Sequence, residues 1–117
     1  MATFRDIADD YSSKIRSAIS ETSSTKTAGY ITESEMQRNK QNNVVAVLKS
    51  INADLKGYTV DGKPISDAQK AQIIRLAAEV LGLKIPENLV YMVKEASNDN
   101  FVALANYWAA FFAEIKL

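Results

Sequence analysis

Apolar residues recur at steps of three and four along most of this chain, and residues that break helices are rare. Phe4, Ile7, Tyr11 and Ile15 begin this pattern, which places apolar side chains on one face of a helix. The 117 residues include only four Gly and two Pro. Few breakers favour long helices over strands and turns. We therefore predict an all-α fold, a single compact bundle of about five helices in one domain spanning residues 1–117.

The first helix is predicted to run from about Thr3 to Ile19. Thr3 followed by Asp6 approximates a capping box, in which each side chain bonds the backbone of the other residue. The Ser- and Thr-rich stretch that follows has no periodicity. We expect residues 20–31 to form a flexible or exposed loop.

The second helix has a clear start and end. A capping box over 32–35, with Ile31 and Met36 as a hydrophobic staple, predicts its start. Gly57 predicts a C-terminal cap after about Lys56. Asp61-Gly62 then indicates a short turn or minimal β-hairpin near residues 58–65.

Three capping signals divide the remaining chain into three helices. A capping box at 66–69 and a glycine at 82 predict a helix ending near Leu81. Pro86 predicts the start of a fourth helix, which runs to about Ala96. The last helix is expected over about 100–116. The expected buried face of the third helix comprises Ile73, Ile74, Ala77, Val80 and Leu81.

Composition excludes several kinds of chemistry. The chain has no Cys and no His, which removes thiol chemistry, disulfides, the commonest general base and the commonest transition-metal ligand. No phosphate-binding glycine motif is present. We predict that the protein is not an enzyme and uses no cofactor or metal. The alternative of a small enzyme would depend on carboxylate, Lys or Tyr chemistry, including the neighbours Ser13-Lys14 and Lys49-Ser50.

A run of seven polar residues over 37–43 is the most unusual feature of the second helix. A helix that is polar all round has no core to pack against. Two interpretations stay open, a solvated extension of the helix or a surface that binds a partner. The binding interpretation assigns Gln37, Arg38, Lys40 and Gln41 to partner contacts.

The last helix is rich in aromatic residues, and its apolar side chains cover nearly its whole circumference. Such a helix is usually buried, so we expect either the centre of the bundle, next to the second helix, or a face covered by another chain. The second alternative assigns Tyr107, Trp108 and Phe111 to partner binding and requires an exposed apolar patch.

Nucleic-acid binding is an alternative function. Residues 76–83 loosely resemble the first helix and turn of a helix-turn-helix, with Ala78 and Gly82 at the expected spacing. Asn88 and Leu89 depart from the pattern in the second helix. The 14 basic and 14 acidic residues also balance, so a general affinity for nucleic acid is not indicated. This alternative would use either a degenerate motif at 75–95 or the polar run over 37–43.

The function class that these observations favour is a non-catalytic protein–protein interaction protein. It would act as an assembly piece, an adaptor or an inhibitor, and its partner would be another protein or a second copy of itself in a homo-oligomer. The longest apolar stretch, 101–115, is too short to span a bilayer. The N-terminal residues show no signal-peptide pattern, so we expect a cytoplasmic protein.

Overall fold

The computed structural model describes residues 3–24, 33–97 and 100–115, and the side chains of 21–24 are not described. The elements are α1 (Phe4–Ser24), α2 (Glu33–Asp54), β1 (Thr59–Val60), β2 (Lys63–Pro64), α3 (Asp67–Val80), α4 (Glu87–Lys94) and α5 (Phe101–Ala113). This confirms the predicted all-α bundle with its minimal hairpin near residues 58–65.

The capping boxes predicted at the starts of α1 and α3 are present, whereas Pro86 precedes α4 as its N-cap and Asn100 makes no side-chain capping bond to α5. Ser66 accepts a hydrogen bond from the Gln69 backbone at 3.1 Å, and the Gln69 side chain accepts one from the Ser66 backbone at 2.8 Å. Thr3 and Asp6 make the same reciprocal pair at the start of α1. Gly57, with φ of 87°, provides the left-handed residue that follows α2. The box predicted at 32–35 and its staple include residues that lie outside the described ranges.

The hairpin is a two-stranded antiparallel ladder that pairs Thr59 with Pro64 and Val60 with Lys63. Asp61 and Gly62 form its turn with φ of 52° and 79°. Two consecutive positive φ values are typical of the type I′ turn, which fits the twist of a hairpin.

The first helix is longer than predicted. It extends to Ser24, so the prediction of a loop is wrong for residues 20–24. Ser and Thr are only moderately unfavourable in helices, and no Gly or Pro occurs before Gly29, so nothing forces the helix to end at Ile19. The remainder of that predicted loop, residues 25–31, lies outside the described ranges.

Helices α1 and α2 run in opposite directions, since the start of α1 lies beside the end of α2 and Ala18 lies near Asn43. α2 packs between α1 and α5, while α3 packs on α1 and α4 connects α3 to α5. α2 thus has a helix on each side, and so does α1, which packs between α2 and α3; the expectation that α2 and the last helix alone form the centre is therefore not confirmed. α5 packs mainly on α2 and leaves one face exposed to solvent. Of the two alternatives for the last helix, burial on all sides within the bundle is therefore wrong, and a face covered by another chain stays a prediction.

The buried face of α3 is also narrower than predicted. Ile73, Ile74 and Ala77 are fully buried, but Val80 and Leu81 are only half-buried. The last turn of α3 therefore lies at the edge of the core. α4 ends at Lys94, two residues before the predicted end, and α5 ends at Ala113 with Glu114 as its cap.

Candidate protein interface

The solvent side of α5 carries no charge. From Phe101 to Ala113 the sequence contains no Asp, Glu, Lys or Arg. The residues that face solvent there, which we call the α5 face, are Val102, Ala103, Asn106, Tyr107 and the half-buried Ala110. Val102 is 53% exposed and Tyr107 is 60% exposed. A helix with an exposed side this apolar leaves a surface that another molecule can cover.

Each of the other four helices has charged residues on its exposed side. Arg5 and Asp9 form an ion pair of 3.5 Å on α1, and Arg75 and Glu79 form one of 3.3 Å on α3. Lys49 on α2 and Lys94 on α4 are also exposed. The α5 face is therefore unlike the other helix surfaces of the described chain.

The structure separates the three aromatic residues that were assigned to partner binding. Tyr107 points to solvent, whereas Trp108 is fully buried. The prediction of a binding role is therefore wrong for Trp108, because the helical twist turns it onto the core side of α5. Its ring packs on Phe112 and Phe111, with centroid distances of 5.7 and 5.9 Å. Phe111 is half-buried at the border between core and surface.

The polar run of α2 does not extend beyond the bundle. Gln37 and Lys40 line a concave space of about 430 Å³ together with Met36 and with residues 113–115 at the C-terminal end of α5. Gln41 is half-buried and Arg38 is exposed, and neither lines that space. Two of the four predicted residues thus lie beside the C-terminal end of α5, which places them at one end of the α5 face.

A polar cluster between α1 and α2 was not predicted. Tyr11 donates a hydrogen bond from its hydroxyl to Oδ2 of Asp54. Lys14 Nζ lies 3.2 Å from Oδ2 of Asp10 and 3.7 Å from Oδ2 of Asp54. The same ammonium lies 4.6 Å from the centre of the Tyr11 ring. Because Tyr11 and Asp54 are 43 residues apart, no local pattern in the sequence could have indicated their contact.

This cluster borders a groove and contains several ionisable groups, which acid–base catalysis would require. Asp6, Asp10, Tyr11, Lys14 and Asp54 line a concave space of about 370 Å³. The hydrogen bond from Tyr11 holds the pKa of Asp54 below its ordinary value of 3.8. Burial, followed by the contact with Asp54, raises the pKa of Tyr11 above its ordinary value of 10. Both pKa values move further from neutral pH, whereas a general acid or base needs a pKa close to neutral pH. These directions favour a structural role in holding α1 against α2.

Replacing Tyr11 with phenylalanine should change how stability depends on pH. The lowered pKa of Asp54 contributes stability above its ordinary value of 3.8, and this is lost as the pH falls through the lowered value. The raised pKa of Tyr11 contributes stability below about pH 10, and this is lost as the pH rises. We expect Tyr11→Phe to lower the urea midpoint at neutral pH and to approach the wild type at both extremes. Tyr91→Phe, at an exposed tyrosine, is the control, and an equal loss at every pH would contradict the assignment.

The corner between α3 and α4 was the candidate site for nucleic acid. α4 has only 8 residues, and its exposed side chains include Glu87 together with Lys94. Leu89 is buried, while Asn88 is exposed. A helix that reads a DNA groove needs a positively charged surface, and this mixed surface does not supply it.

No protein-family model matches this chain, and no curated protein or solved structure matches it either. Across the described ranges, no helix has both the length and the apolar character needed to cross a membrane. Residues 3–24, 33–97 and 100–115 also hold no group of three or more carboxylates placed to bind a metal ion. The exposed, uncharged side of α5 is therefore the feature of the described residues that points to a function.

Proposed function

We propose that this is a non-catalytic protein–protein interaction protein and that the α5 face is its binding surface. The observation that carries the proposal is the absence of charge from Phe101 to Ala113 on a helix whose outer side is open to solvent. Covering this surface requires no charged group to lose its hydration, so burial of its apolar area favours association without that cost.

Tyr107 is the expected centre of the binding surface. It is exposed and lies in the middle of the α5 face. Its side chain has only two χ angles, so fixing it in an interface costs little conformational entropy. Tyrosine is among the residues that concentrate binding energy in interfaces. Val102, toward the start of the helix, extends the apolar area.

Polar residues at the end of α5 support the same proposal. Glu114 follows the α5 face, and Gln37 and Lys40 of α2 line the adjoining space. Interfaces commonly have an apolar centre and a polar rim that supplies hydrogen bonds. An assembly piece, an adaptor or an inhibitor would each use a surface of this kind.

A photo-reactive amino acid at position 107 tests the proposal in cells of the organism that encodes the protein. We expect irradiation to join position 107 to one discrete protein species. The matched control is the same amino acid at position 91, because Tyr91 is 64% exposed on α4, close to the 60% of Tyr107. The absence of an adduct at 107, or the same adducts at both positions, would contradict the proposal.

A further inference from the structure

One line of solvent-facing side chains runs along α5 from its N-cap to its C-cap. Asn100, Ala103, Tyr107, Ala110 and Glu114 follow one another at steps of three, four, three and four residues. All five are exposed or half-buried. Side chains at steps of three and four lie on one side of a helix, so this line can face a second helix that packs alongside α5. We call these five residues the α5 seam.

We infer that the α5 seam pairs with the α5 seam of a second copy, in antiparallel orientation. This inference rests on the proposed function and names its partner. The chain has 14 basic and 14 acidic residues, so two copies do not repel each other through net charge. The α5 face is also uncharged, so two copies of it do not repel each other.

The charge of Glu114 and the dipole of α5 together favour one orientation. Glu114 is the only charged residue of the seam and lies at its C-terminal end. A parallel pair would place the two Glu114 carboxylates side by side, which is unfavourable. An antiparallel pair places each Glu114 beside the first turn of the other α5, where the helix dipole favours a negative charge. The Asn100 side chain makes no capping bond to that turn, because it bonds instead to Ser97 and Glu95.

Residue size then selects the alignment. Antiparallel pairing with Tyr107 against Ala110 of the second copy places Glu114 opposite Ala103 of that copy, near the helix start. A large side chain thus meets a small one in both central layers, which lets the two helices approach closely. Because of the two-fold symmetry, each such contact occurs twice.

Light scattering on purified protein from about 1 µM to about 1 mM measures the dissociation constant of the pair. We expect the wild type to form dimers within this range. Tyr107→Ala should raise the dissociation constant about 100-fold, since it removes two aromatic contacts of about tenfold each. Ala110→Tyr should also weaken the dimer, because two tyrosines then meet. The double variant Y107A/A110Y restores the large-to-small contact and should regain most of the affinity.

Two further variants test the control surface and the orientation. Tyr91→Ala removes an equally exposed tyrosine from α4 and should leave the dissociation constant unchanged. Glu114→Gln should weaken an antiparallel dimer about threefold or more, whereas it would tighten a parallel one by removing repulsion. Circular dichroism confirms that each variant keeps its helices.

The outcomes separate this inference from the proposed function. Dimers that lose affinity in both single variants and regain it in the double variant support antiparallel pairing. A wild type that stays monomeric up to about 1 mM overturns the inference. A cross-link from position 107 to a different protein would then leave the proposed function standing. Tightening by Glu114→Gln overturns the antiparallel orientation.

Discussion

Replacing Trp108 with alanine is expected to lower the free energy of unfolding by about 3–5 kcal/mol. The ring is fully buried and packs against Phe111 and Phe112. Its removal leaves a cavity on the core side of α5, which packs mainly on α2. Since small domains have a total stability of about 5–15 kcal/mol, the variant should lose much of it. Urea unfolding at one fixed protein concentration measures the change.

Two variants show whether the loss comes from the core side of α5. Trp108→Phe keeps most of the ring volume and removes an indole N–H that has no hydrogen-bond partner among the described residues, so its cost should be much smaller. Tyr107→Ala changes the neighbouring residue on the exposed side and should alter the stability of the monomer little. Equal losses at positions 107 and 108 would contradict the assignment of the two faces.

Replacing Leu48 with alanine should have the next largest effect, about 2–5 kcal/mol. Leu48 is fully buried in α2, the helix that packs between α1 and α5. Its side chain therefore fills space that no single neighbouring helix can collapse into. The change appears as a lower urea midpoint with an unchanged dependence on urea concentration.

The neighbouring residue provides the control for this variant. Val47 is half-buried and lines the groove between α1 and α2. Val47→Ala loses less buried surface and gains helix propensity, so its cost should be well below that of Leu48→Ala. Equal costs for Val47→Ala and Leu48→Ala would contradict the assignment of Leu48 to the core and Val47 to its border.

Signals confined to a few neighbouring residues predicted much of this fold. The capping box at Ser66 and the turn at Asp61-Gly62 lie where the sequence placed them. Both depend on hydrogen bonds or backbone conformation within four residues, so no distant contact can change them. The end of α1 was missed because Ser and Thr neither stop a helix nor extend it strongly, and tertiary packing decides such cases.

The site was harder to predict because it depends on which face of a helix is covered. The aromatic content of the last helix indicated either a core or an interface, and α5 has both buried and solvent-exposed aromatic residues. Composition alone could not separate Trp108 from Tyr107, since that depends on how α2 packs against α5. The hydrogen bond between Tyr11 and Asp54 also depends on packing, since the two residues are far apart in the chain.

Hydroxyl-radical footprinting of Tyr107 and Tyr91 at rising protein concentration tests the central claim most directly. The two side chains are 60% and 64% exposed in the single chain, so they should react similarly when the protein is dilute. We predict that Tyr107 becomes progressively protected as the concentration rises while Tyr91 keeps its reactivity. Equal reactivity of both residues at every concentration would contradict the assignment of the α5 face as an interface between copies of this chain.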